Sequence, residues 1–294
     1  MRLLVTGGSG FLGSRVVGRA VKDGHQVIGL ARGTDAAGRL TALGAEVVRG
    51  DLDIATSTRE AFSAAKADAL LNIASLGFGH ADTIVTAAAE AGIARAVFVS
   101  TTGIFTTLDP PSKRTRLAAE DSIRGSGLDW TIIRPTMIYG GSDDRNMARL
   151  LALLRRSPVL LVPGGRHLHQ PVHVDDLADL VLRAVNADVA VGRAYTAAGP
   201  SPMTLRDVIA QAGAAVGRRP RCVPVPVGPV LTLAGVYERR SARPRLKREQ
   251  ILRLTEDKAF PIDDAVTDLG FAPRPFAEGI RQAARPRFTA RRMS

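Results

Sequence analysis

Three glycines at positions 7, 10 and 13, in the run Thr6-Gly7-Gly8-Ser9-Gly10-Phe11-Leu12-Gly13, are spaced to lay backbone against a pyrophosphate. Gly7 permits a tight turn, Gly10 lets the phosphates approach, and Gly13 lets a helix pack close to the strand before it. Free N–H groups at the start of that helix would face the phosphates, with Ser9, Phe11 and Leu12 around them. A second apolar stretch ends at Ala31-Arg32-Gly33, where chains that prefer NAD usually carry an acid. A guanidinium at Arg32 suits a 2′-phosphate instead, gripped bidentately. Asp51 is placed to accept from an adenine amino group, and Leu52 to pack on the ring. The chemistry implied is binding of NADPH or NADP+.

The elements that must position these residues follow from hydrophobic patterning. Strands are expected near 3–6, 26–31, 45–49, 69–74, 95–100 and 129–134, with amphipathic or Ala-rich helices between them. The first helix is expected from about Ser14 to Asp23, with Gly24 as its stop. The alternation implies an α/β Rossmann fold, a doubly wound parallel sheet. After residue 157 the pattern breaks into short pieces, punctuated by Pro158, Pro163-Gly164-Gly165, Pro200, Pro202 and a Pro-rich stretch at 220–229. Helices are expected near 175–186, 204–216, 245–256 and 276–290. Residues 1–157, with 172–198 returning to them, would form the cofactor domain. Residues 158–171 and 199–294 would form a smaller C-terminal substrate lobe, with 164–171 and 219–250 as wall and lid of its cleft.

Composition narrows the classes. Of 294 residues 45% are hydrophobic, enough for a packed globule. No apolar run is long enough to span a membrane, and the N-terminal residues do not read as a signal peptide. The single Cys222 excludes an intrachain disulfide and a cysteine-cluster metal site, so no metal is expected and the cytoplasm is the expected compartment. The net charge of +12 is scattered and accompanied by few aromatics, which does not favour nucleic acid as a partner. Arg outnumbers Lys 35 to 5, the codon bias of a GC-rich genome, a setting in which secondary metabolism is common.

Taken with further segments, the chain resembles the short-chain dehydrogenase/reductase superfamily in its extended and atypical branches, over roughly residues 1–290. The form at Thr6–Gly13 and Gly50-Asp51-Leu52 are of that family. Leu71-Asn72-Ile73-Ala74, followed by Ser75, resembles its fourth-strand segment over the cofactor. Val97 to Thr102 resembles the fifth strand ending in the active-site Ser/Thr, a slot taken by Thr101 with Thr102 as the near alternative. Ile132 to Pro135 and Met137-Ile138-Tyr139-Gly140 resemble the sixth strand and the turn beside the nicotinamide. Gln170 to Ala178 resembles the element that opens a late helix, with Asp175 expected as its cap and His173 as structural.

The departure from the family is chemical. Its acid/base pair is a Tyr followed four residues later by a Lys, and none of the five lysines here has Tyr at that position. In register, the lysine slot falls on Arg116 and the tyrosine slot on Ser112. Arg116 could hold ribose or phosphate oxygens but is no proton relay, and Ser112 is a weak acid. His167 and His169, flanking Leu168, read as polar residues lining a cleft. Arg155-Arg156 and Arg239-Arg240 read as solvated helix faces, and Arg285 to Arg292 as a fraying surface helix. The resemblance implies an NADPH-dependent ketoreductase acting on a small-molecule aromatic ketone of polyketide type, with the substrate assisting protonation. Two other readings stay open: an NADP(H)-binding sensor or assembly subunit without chemistry, and a sugar-nucleotide epimerase or dehydratase.

Overall fold

A computed structural model describes residues 1–141, 144–241 and 248–284. Its centre is a seven-stranded sheet in which every neighbouring pair is parallel. Six strands lie close to the expected spans: β1 (Arg2–Thr6), β2 (Gln26–Ala31), β3 (Glu46–Arg49), β4 (Ala69–Asn72), β5 (Arg95–Val99) and β6 (Asp129–Pro135). The seventh, Arg193–Ala197, pairs with β6 at the edge. Strand β1 lies between β2 and β4, so the order reverses there. Ligands of such sheets bind beyond the carboxyl ends of the strands at that reversal.

Alternation along β1 shows why the sheet is covered on both faces. Leu3 and Val5 face one apolar cluster and Leu4 the other, all fully buried. On the first face lie α1 (Phe11–Lys22) and a helix at Val174–Asn186, through Val16, Val17, Leu177 and Val181. α2 (Thr34–Ala42) stays with the first cluster through Leu40, while α3 (Ala55–Ala65), α4 (Ala81–Glu90) and α5 (Pro111–Arg124) cover the second face through Phe62, Ile84 and Ile123. A third cluster joins α6 (Arg145–Arg156) to helices Leu205–Ala215 and Phe276–Ala284 through Met147, Leu151, Val208 and Ile280.

Several boundaries differ from the sequence reading. Helix α1 starts at Phe11, not Ser14, because Gly10 is its N-cap in extended conformation. The helix at Val174–Asn186 is capped by His173, whose Nδ1 accepts the Asp175 amide at 3.3 Å, so Asp175 is not the cap. The Pro-rich stretch is ordered structure. Arg221–Val225 is a strand paired in parallel with Val159–Pro163, and Val227–Arg240 is a helix. Pro226 and Pro229 fall at its cap and first turn, where no backbone donor is lost. The expected helix at 245–256 is Arg248–Leu254. The tail from Arg285 onward lies outside the described residues. No helix among the described residues is long and apolar enough to cross a membrane.

Candidate active site

The turn after β1 is built from backbone at close quarters. Gly7 has φ +66°, and a Cβ there would stand 2.6 Å from the Ala74 amide nitrogen. A Cβ on Gly13 would stand 2.1 Å from the Gly7 carbonyl oxygen. Both contacts are with backbone, so neither can be relieved by a side chain turning aside. The first turn of α1 has no acidic residue and no side-chain cap, an arrangement suited to an anion.

Beyond this turn is a cleft of about 230 Å³. Gly7, Gly10, Phe11, Leu12 and Gly13 form one side, Ile73 and Ser75 extend from β4, Pro135 and Ile138 from β6, and Arg116 from α5. Sequence reading named all of these. It missed Leu76, Val99, Ser100 and Thr136 in the same wall. Val99, Ser100 and Thr136 sit where β5 and β6 end, so the rule of strand carboxyl ends could have found them. Ala74 lies under Gly7. Ser9 lines an adjoining surface cleft with Arg39 and Asn146. Met137 packs instead against the third apolar cluster. At the ends of β2 and β3, Arg32 pairs with Asp53 at 3.2 Å and faces Asp51 at 3.9 Å, while Leu52 rests against the second cluster.

The three hydroxyl candidates separate. Thr101 lines the first cleft, its Oγ1 accepting the Gly103 amide at 3.1 Å. Thr102 is buried, donates to the Pro135 carbonyl at 3.3 Å, and lines a neighbouring cleft. Ser112 lines neither of these two clefts. Its carbonyl accepts from Arg116 at 3.1 Å. The Arg116 guanidinium lies over Gly77, where a Cβ would come within 2.9 Å. Burial and the nearby Arg253 charge pull its proton affinity below the ordinary arginine range, and no acid offsets them.

None of the three tyrosines lines either cleft. Tyr139 stacks edge-on against His173 at 5.2 Å and is buried, which raises its hydroxyl above the usual tyrosine range. Tyr195 is held by Asp268 at 2.8 Å and is raised by burial and by that carboxylate. Tyr237 lies on the helix at Val227–Arg240. An acid beside the first cleft is Glu120, buried on α5, gripped by Arg134 and neighboured by the cleft residue Ser100. Burial raises its carboxyl, but the hydrogen bonds and charge of Arg134 outweigh that and hold it below the usual range.

The second cleft, about 430 Å³, lies between the 102–107 loop and a strap at 253–260. That strap follows the 219–250 segment to which sequence reading gave the lid, of which 242–247 lie outside the described residues. Hydrogen bonds from backbone amides, one to a carbonyl and two to side chains, seat it. The Lys258 amide donates to Leu168 at 2.8 Å, the Leu168 amide to Asp257 at 2.8 Å, and the Phe260 amide to Gln170 at 2.9 Å. The two histidines part company here. His167 faces Asp257 at 3.4 Å, while His169 is buried and pushed down to about 4, first by burial and then by the Lys258 charge. His169 therefore packs inside, and neither histidine lines either cleft, contrary to the sequence reading.

The chain is similar to known proteins in sequence and in fold. A family described as NAD(P)H-binding matches residues 7–188. A 4-hydroxy-2-methyl-3-oxo-4-farnesyl-3,4-dihydroquinoline-1-oxide ketoreductase from Stigmatella aurantiaca is 29% identical over 241 residues, 71% of each chain. A 2-alkyl-3-oxoalkanoate reductase from Stenotrophomonas maltophilia is 26% identical over 325 residues, covering 96% of this chain and 98% of that one. The structure of a dTDP-glucose 4,6-dehydratase from Bacillus anthracis, in complex with NAD, superposes with a TM-score of 0.75 at 16% identity over 97% of this chain and 95% of that one, a likeness of fold. The chain belongs to the NAD(P)H-binding family, in the atypical short-chain dehydrogenase/reductase branch.

Proposed function

We propose that this member of the NAD(P)H-binding family is an NADPH-dependent ketoreductase acting on an aromatic, polyketide-type ketone of secondary metabolism such as antibiotic biosynthesis. The observation that carries the reading is a pair of clefts lined by the adjacent residues Thr101 and Thr102, with no tyrosine among the residues that line either. The Gly7–Gly13 turn fits the cofactor, since its backbone cradle is one that a Cβ would fill. Bound there, the nicotinamide would supply hydride. Thr101 orients the carbonyl by a hydrogen bond, and Arg116 holds ribose oxygens from the lysine slot. Both reductases among the relatives act, by their names, on oxo compounds.

Reduction leaves negative charge on oxygen, and a positioned acid normally contributes about 10²–10⁴-fold. Thr101 is a poor acid. In this reading the substrate supplies what the protein lacks: a conjugated aromatic ketone spreads the charge as a phenolate or enolate, or a neighbouring hydroxyl passes its own proton across. The protein positions the carbonyl. The test is a paired assay of a hydroxylated aryl ketone and its O-methyl ether, with Thr101→Ala and Ser112→Ala each costing less than about 10²-fold. Equal rates on the two ketones, or complete loss in one variant, would show a protein acid at work. Tight NADPH binding without turnover of any ketone would favour a sensor.

A further inference from the structure

The strap at 253–260 brings four charged side chains to the second cleft, and three of them are already engaged. Glu256 accepts from the Thr106 hydroxyl at 2.6 Å and from the Thr107 amide and hydroxyl at 2.8 and 2.6 Å. Asp257 accepts the Leu168 amide and faces His167. Arg253 pairs with Glu249 at 2.6 Å. Lys258 differs. An ammonium has three donors, and the hydrogen bond it makes among the described residues goes to the Arg253 carbonyl. It is half-buried, and burial with the Arg253 charge lowers its proton affinity more than Glu256 restores it. Arg253 acts in the same sense on Arg116 in the cofactor cleft. The apolar wall is aromatic, with the Phe105 and Phe260 rings 5.7 Å apart.

An aromatic wall beside an under-compensated ammonium fits a flat apolar body that carries one anionic group. We propose that Lys258 is a specificity-determining residue that pairs with a carboxylate or acidic phenol of the ketone bound in the second cleft. The proposal rests on the ketoreductase reading and narrows its substrate to anionic aryl ketones. It also fits the missing acid, because a fixed cation stabilises charge left on the substrate without giving up a proton. The competing role for Lys258 is structural: a lysine closing the carbonyl end of the helix at Arg248–Leu254.

Two ketones that differ in one charge, each carrying the neighbouring hydroxyl that the reduction calls on, separate the roles: 4-acetyl-3-hydroxybenzoate and its methyl ester. For each, KM is measured with NADPH, and binding of the carboxylate is measured by calorimetry on protein saturated with NADP+. The unaltered protein should prefer the acid by about tenfold or more in KM, the scale of a charge-assisted hydrogen bond. In K258Q the ratio of the two KM values should fall to within about twofold of one, while K258R should keep most of the preference. R253Q, which removes the neighbouring cation, should lower the ratio by a smaller factor, and it carries the test if K258Q does not fold. A helix-end role would instead weaken acid and ester alike. No preference in the unaltered protein, equal losses in K258Q, or no rescue by K258R would each overturn the proposal. If neither ketone is turned over yet the carboxylate binds in a Lys258-dependent way, the reductase reading fails and the recognition stands.

Discussion

The two clefts are lined by adjacent threonines, yet they are made by different means. The phosphate end of the first is backbone against backbone: the Gly7 and Gly13 positions leave no room for a Cβ, and its three glycines fall within one run of seven residues. The second is side chain against side chain, drawn from segments far apart in sequence, as in the hydrogen bond from Thr106 to Glu256 across 150 positions. The first wall should therefore be intolerant of a single methyl group, and the second should respond to charge and pH. The sharpest way to break that contrast is Gly13→Ala. Its Cβ would meet the Gly7 carbonyl at 2.1 Å, and the turn must open. Overpacking of this kind costs roughly 3 kcal/mol, and cofactor affinity should fall more than about 100-fold as the phosphate cradle deforms. Titration with NADPH and urea denaturation measure the two effects. Binding at the level of the unaltered protein would mean that the cradle is not rigid.

The second wall should yield to acid first. His169 seats the strap from within, and burial holds it neutral with a folded-state value of about 4 against 6.5 in the open chain. A folded value below the unfolded one means that this contribution to stability is complete above about pH 6.5. It is lost as pH falls from there through about 4. Between pH 7.5 and 4.5 the loss should be about 2.5 kcal/mol. Glu256 acts in the same direction at lower pH. Burial raises its carboxyl, but the hydrogen bonds from Thr106 and Thr107 hold it below the usual range, so the strap loses them as it protonates. The check is denaturation across this pH range for the unaltered protein and for His169→Asn, with hydrogen exchange to locate the opening. The variant should show the flatter profile, and exchange should rise in 253–260 before it rises in α1. A parallel pH profile in the variant would remove His169 from the account.

The same contrast explains what the sequence made legible. A cradle of backbone needs glycine at fixed spacing, and spacing survives in the one-dimensional text, so Gly7, Gly10 and Gly13 could be read before any coordinates, and Ile73 and Pro135 through the family resemblance. So could most of the strands, because β1, β2, β4, β5 and β6 are largely buried and read as apolar runs. The strap could not be read. Lys258 enters the second cleft through the hydrogen bonds of Leu168 and Gln170 to residues some ninety positions away, and no periodicity encodes them. Prolines at 224, 226 and 229 were read as breaks, yet one lies in a two-stranded sheet and two lie at a helix start. His173 hid as a cap because histidine is a rarer cap than the aspartate two residues on.

The smallest effect is set at the far end of the first cleft, where the structure adds something to a simple reading of Arg32. Its guanidinium is 70% exposed and already answers Asp53 at 3.2 Å and Asp51 at 3.9 Å. A 2′-phosphate arriving there would take over a charge-assisted contact from Asp53, and it would do so beside two carboxylates that repel it. A bidentate charge-assisted bond made afresh is worth roughly 1.5–3 kcal/mol. One that replaces an existing exposed ion pair keeps only the lower part of that range, since exposed pairs are themselves worth at most about 1 kcal/mol. The preference for NADPH over NADH should therefore be about tenfold, near 1.4 kcal/mol. Arg32→Ala should bring the two affinities together. Asp53→Asn should move the other way, raising the preference a few-fold by freeing Arg32 and removing one repelling charge. Both shifts should shrink as salt is added, because the site is open to solvent. Fluorescence titration of both cofactors against the three proteins, at two ionic strengths, decides the matter. If Asp53→Asn lowers the preference, the carboxylate is not competing for Arg32, and the 2′-phosphate is held elsewhere.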